Sequence, residues 1–165
     1  MLASADATVL IPSGLRCVED STEDFDFGLL DSSNLLGLFD YDVCPLRDGE
    51  SRIEPYILLE RAKAAKAYGS LTFAYALLSA QEKRTEIFPL ESRGRHEFVM
   101  PLTVLREQDG SPDPTYGYIF FDIDYFPYFA WQDGLWVLKV SQGVVTNPRF
   151  VCAKESGSHS KLGSE

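Results

Sequence analysis

The sequence predicts an α+β protein: an antiparallel β-meander packed against one main α-helix, preceded by an acidic N-terminal region. Three observations carry that expectation. A helical period over "EPYILLERAKAAKAYG" gives way, after Gly69, to alternation of apolar and polar residues. Short alternating runs then follow one another, separated by turn-forming Gly, Pro and Asp, as the strands of a meander are. The charge is also unevenly divided. Of the formal −10, residues 1–50 hold −9 (11 acidic groups against Arg16 and Arg47) and residues 51–165 hold −1 (14 acidic, 13 basic).

This division gives three regions: an acidic-hydrophobic front over residues 1–50, an α+β body over 51–153 and a flexible polar tail over 154–165. "CPLRDGES" closes the front, because Pro45 breaks what precedes it and Asp48-Gly49 is a turn pair. In the body, Pro55 suits the first turn of a helix, Glu54 faces the positive end of its dipole, and Gly69 supplies the stop. "LTFAYALLS" reads as a strand with Leu71, Phe73, Tyr75 and Leu77 on one face, although Ala74, Ala76 and Leu78 also permit a helix. Strands are expected at "TEIFPL", at "HEFVMPLTVL" and at "TYGYIFFDIDYF". A hairpin is expected around Gln132-Asp133-Gly134, and a last strand at "RFVCA". "KESGSHSKLGSE" has the composition of a flexible linker.

Composition sets the class. With 45% hydrophobic and 13% aromatic residues the chain can build a core, so global disorder is excluded. No run approaches the ~20 apolar residues of a membrane-spanning helix, and "MLASADATVLIPSG" lacks the basic start of a secretory signal. A soluble, intracellular protein is expected. Cys17, Cys44 and Cys152 are odd in number and none is in CxxC spacing, so buried free thiols are expected and no metal or cofactor is called for.

Chemistry-bearing constellations are sparse. Asp122 and Asp124, two apart on a strand, share a face and are the pattern for a divalent cation or an acid–base pair. His96 is the one histidine of the body and His159 lies in the tail, so a Cys–His nucleophile would have to pair His96 with one of the three cysteines. A small hydrolase built on these groups is the enzymatic alternative, yet no Gly-rich phosphate loop or nucleophile elbow accompanies them. Both are read as ordinary strand and loop residues, and no catalytic or metal-binding residue is assigned. Tyr116, Tyr118 and Phe120 form a candidate aromatic surface, suited to a protein partner or to self-association. Base stacking needs a positive groove, and the acidic front repels phosphate, so no direct nucleic-acid partner is expected.

The most informative stretch is "EDSTEDFDFGLLDSSNLLGLFDYD", residues 19–42, with eight carboxylates and no basic group. It can dock on the body, fold as an amphipathic helix on a partner, or mimic nucleic-acid charge. Docking with part of it exposed is favoured. In the folding-on-binding form Phe25, Phe27, Leu30, Leu35, Leu38 and Phe39 would be the anchors. The function expected is therefore non-enzymatic: an inhibitor, immunity, adaptor or viral antagonist protein. Glu19, Asp20, Glu23, Asp24, Asp26, Asp40 and Asp42 would attract a basic protein surface, while Phe25, Phe27 and Phe39 anchor it. A self-associating structural protein is the remaining alternative.

Overall fold

A computed structural model describes residues 4–31, 35–107 and 123–154. Over these residues the fold is mixed, with mostly strands, two α-helices and sheets that are mainly antiparallel. The larger sheet is assembled on β6 (Asp124–Gln132). On one side β6 pairs first with β5 (Thr103–Glu107) and further along with β4 (Glu97–Val99); on the other it pairs with β7 (Leu135–Ser141). Outside β5 lies β1 (Leu15–Asp20), and β8 (Pro148–Arg149) adds to β4 in parallel. A second sheet has β9 (Val151–Ala153) between β2 (Phe39–Asp40) and β3 (Ala67–Tyr68).

The helix expected after Glu54 is α1 (Pro55–Ala65), with Pro at its first turn and Leu58, Leu59 and Ala62 buried. Its stop differs from expectation: Lys66 takes the left-handed conformation at φ 57°, three residues before Gly69. Gly69 serves a close approach instead. Its φ is 147°, and a Cβ there would lie 2.3 Å from Pro101 Cδ and 2.7 Å from Pro101 N.

The segment "LTFAYALLS" overturns the strand expectation. It lies in a second helix, α2 (Leu71–Glu82), so the body has two helices where one was expected. Leu71, Phe73, Ala74, Ala76, Leu77 and Ala80 are all buried, and their spacing satisfies a helical period as well as an alternating one. Ser70 decides the matter locally: its hydroxyl accepts the Phe73 N–H at 3.1 Å, an N-cap that a strand has no use for.

The helices cover opposite faces of the larger sheet, which replaces the one-helix meander with three layers. Neighbouring strand residues point to different cores. Phe98, Phe129 and Trp136 join Phe73 and Leu77 of α2, whereas Val99, Val104 and Phe126 join Leu58 and Leu59 of α1. Three further expectations change. "TEIFPL" forms no strand: Ile87 and Phe88 are buried, and Phe88 stacks on Phe98 at 4.1 Å. "HEFVMPLTVL" splits into β4 and β5 at Pro101, which has no N–H for a ladder, while Leu102 N–H bonds Gly69 O. "RFVCA" divides between the two sheets at Phe150, whose N–H bonds Val43 O at 2.8 Å. The hairpin stands where the sequence places it. Asp133 and Gly134 have φ of 55° and 84°, the doubly left-handed turn that Asp-Gly favours.

Candidate functional site

The carboxylates of residues 19–42 divide into two groups by what they bond. Glu23 reaches across to the start of α2: its Oε2 accepts the N–H groups of Gly69 (2.8 Å) and Ser70 (3.0 Å), and Oε1 accepts the Ser70 hydroxyl. Asp20 sits at the exposed end of β1, yet its Oδ1 accepts the Leu71 N–H at 3.0 Å and the Thr103 hydroxyl at 2.8 Å. An α-helix begins with N–H groups that have no partner within the helix and with positive dipole charge, and these two acids answer both. Desolvation nevertheless outweighs those bonds and pushes the Asp20 carboxyl up, with the charges of Glu23 and Glu19 adding to it.

The other acids are engaged locally or not at all. Asp26 accepts the Gly28 N–H and Asp40 the Asp42 N–H, both in tight Asx turns, and Glu19 accepts the Ser21 hydroxyl at 3.2 Å. Asp24 and Asp42 are exposed and accept no side-chain hydrogen bond among the described residues. Part of this charge is felt by the core: burial and then the charges of Glu23 and Asp24 push the Tyr68 phenol up. Burial followed by the Asp40 charge pushes the Cys152 thiol to about 11.

The apolar half of this stretch turns inward. Phe39 is 3% exposed, and Leu30 and Leu35 are core residues beside it. Phe25 is part-buried and rings Phe27, Phe39, Tyr68 and Phe73 at centroid distances of 5.0–5.5 Å, edge-on or tilted. Leu29, 43% exposed, is the one large apolar side chain among the described part of residues 19–42 that stays outside. The segment thus packs its phenylalanines in or against the core of its own chain, while Asp24, Asp26 and Asp42 are exposed.

The remaining candidates are scattered. Asp124 pairs with Arg106 at 2.7 Å across β5 and β6. Asp122, Tyr116, Tyr118, Phe120 and His159 lie outside the described residues. The His96 Nδ1 is 3.3 Å from Asn147 O, and Cys17 directs its thiol to Glu19 O; of the three thiols expected to be buried only Cys152, in β9, is, while Cys17 is part-buried and Cys44 is exposed. Among the described residues no three His, Cys, Asp or Glu gather as metal ligands, and no helix is long and apolar enough to cross a membrane.

One feature went unforeseen: an open groove of about 340 Å³ between the C-terminal end of α2 and the β6–β7 hairpin. Trp131 and Trp136 meet there edge to face at 5.4 Å, and the Arg93 guanidinium lies 4.3 Å from the Trp131 ring centroid. Gln81 joins the walls by pairing its side-chain amide with the N–H (3.0 Å) and C=O (2.9 Å) of Trp136, like a further strand. The sequence signal was present as two tryptophans flanking one turn, but their partners arrive from residues 81–93. Comparison of the chain with protein-family models, with curated proteins and with solved structures finds no match.

Proposed function

We propose that the chain is a non-enzymatic protein-binding module whose acidic face, carried by residues 19–42, meets a basic surface of a partner protein. The observation that supports this reading is the anchoring of that segment. Phe25, Phe27 and Phe39 hold its backbone against the core, so Asp24, Asp26 and Asp42 stand on a fixed surface. Fixed like charges focus a field that accelerates encounter with an oppositely charged protein and loses strength with salt. The anchoring role first given to the three phenylalanines passes to Leu29, which is exposed beside the Asp26 turn. The same field repels nucleic-acid backbones. An inhibitor, immunity protein, adaptor or viral antagonist would each act by this occlusion of a basic site.

The test compares the immobilised parent chain with the triple variant Asp24→Asn, Asp26→Asn, Asp42→Asn. Asparagine keeps the Asx-turn geometry and removes three charges. Extract proteins retained by each are identified at low and high salt, and association rates are then measured with the purified partner. The expected result is a basic partner held by the parent, released by salt, and associating about tenfold more slowly with the variant. Equal retention by both chains, or no retained basic protein, refutes the reading. Deleting residues 1–50 would be a poorer test, because it removes Leu30, Leu35 and Phe39 from the core.

A further inference from the structure

We propose that the groove between α2 and the β6–β7 hairpin is a binding site for a small organic acid, a carboxylate borne on one flat or apolar group. The acidic surface plays no part in it. Three features of the groove point to that chemistry.

The first is charge. Arg84 and Arg93 line the groove against the single carboxylate of Glu86, leaving it net positive on a chain of formal charge −10. Arg93 is committed, since its Nη2 donates to both Glu86 oxygens at 2.8 and 3.1 Å. Arg84 is not: no ion pair or side-chain hydrogen bond engages it among the described residues. A cation of that kind on the wall of a recess is a ready carboxylate receptor.

The second is an unmet donor. The Arg93 Nε is buried with no acceptor among the described residues, although nearly every buried polar atom in a native protein has one. Its guanidinium lies over the Trp131 ring and is tied by Glu86, so the group is positioned before anything binds. A small displacement of the Glu86 fork would let an incoming carboxylate take its place on Arg93.

The third is shape. A volume near 340 Å³ is at the lower end of small-molecule sites, which span roughly 300–1,000 Å³. That admits one ring with a short acid arm. Trp131 and the exposed Leu135, 54% accessible at the tip of the hairpin, supply the apolar contact.

The experiment uses a property of this sequence: its two tryptophans both line the groove, so tryptophan fluorescence of the intact chain reports on this site. Phenylacetate is titrated into the millimolar range beside its neutral isostere phenylacetamide. Phenylacetate should change the emission saturably, and phenylacetamide should bind about tenfold more weakly or not at all. Arg84→Gln should weaken phenylacetate about tenfold without changing the circular dichroism. Glu86→Gln removes the competing carboxylate and should tighten binding several-fold, an outcome that mere damage to the groove does not produce. Equal responses to acid and amide, no saturable response to either, or an Arg84→Gln variant that binds as the parent does would overturn the assignment.

Discussion

Replacing Glu23 by alanine should cost the fold about 3 kcal/mol, an unusual price for one acid on a surface segment. The figure follows from what the carboxylate holds. It accepts the Gly69 and Ser70 N–H groups and the Ser70 hydroxyl, and Ser70 is wholly buried. A buried donor left without its acceptor costs ~1–3 kcal/mol. Glu23 is only half-buried, so water reaches part of the vacated space, and the lower end applies: ~1 kcal/mol for each of the two N–H groups. Losing a negative charge at the start of α2 adds ~0.5–1 kcal/mol. The Ser70 hydroxyl keeps the bond it accepts from Phe73 N–H, and its own proton can rotate to the water that enters the vacated space, so it is left out of the sum.

Urea denaturation followed by circular dichroism reads this directly. With a slope of ~2 kcal/mol per molar, the midpoint should fall by ~1.5 M with the slope unchanged. Asp24→Ala is the matched control. One residue away, exposed and free of side-chain hydrogen bonds among the described residues, it should shift stability by less than ~0.5 kcal/mol. If Glu23→Ala and Asp24→Ala lose the same amount, the carboxylate is not capping α2 and the division of the acids into two groups fails.

Two further outcomes follow from other parts of the fold. Iodoacetamide at neutral pH should add one label to the native chain, at exposed Cys44, and three after unfolding. Burial, with the neighbouring acids, pushes the Cys17 thiol up and carries Cys152 to about 11; native labelling of Cys152 at the Cys44 rate, read by mass spectrometry, would contradict this. Glu50 forks onto Arg61 at 2.6 and 2.9 Å and accepts the Arg47 N–H, which lowers its carboxyl from 4.5 to about 2. A lowered acid adds stability above its ordinary value and loses it on acidification, so Glu50→Gln should flatten the fall in urea midpoint between pH 4.5 and about 2. Parallel losses in parent and variant across that window would show that the clamp adds nothing.

What the sequence made legible is what neighbouring residues decide. Pro55 and the helical spacing of Leu58, Leu59 and Ala62 announce α1 without help from elsewhere. Asp133-Gly134 announces the hairpin, because few pairs accept two positive φ angles in succession. The second helix was harder, since a segment buried nearly all round satisfies two periods at once. Ser70 was the local clue. The decisive contribution came from Glu23 and Asp20, which lie 46 and 51 residues away from the N–H groups they satisfy. The end of α1 was misplaced for a similar reason: Gly69 is required by Pro101, and a stop signal cannot be told from a packing requirement until both segments are in place. The groove was invisible on the same grounds, with cations from the α2 end and rings from the hairpin.

These long-range bonds also bear on why the front of the chain is so acidic. Capping α2 needs Asp20 and Glu23, and the two Asx turns use Asp26 and Asp40 in a role that asparagine fills equally well. Nothing among the described residues asks for the charge of Asp24, Asp26 or Asp42. Excess charge of one sign works against the compact state of a chain already at −10, so these charges oppose folding. The triple asparagine variant should therefore be as stable as the parent, or more so, in the same urea assay that finds Glu23→Ala severely weakened. A variant that binds worse while folding no worse separates the acids that serve a partner from those that serve α2. If the triple variant is instead destabilised as Glu23→Ala is, the whole acidic face belongs to the fold and its charge requires no partner.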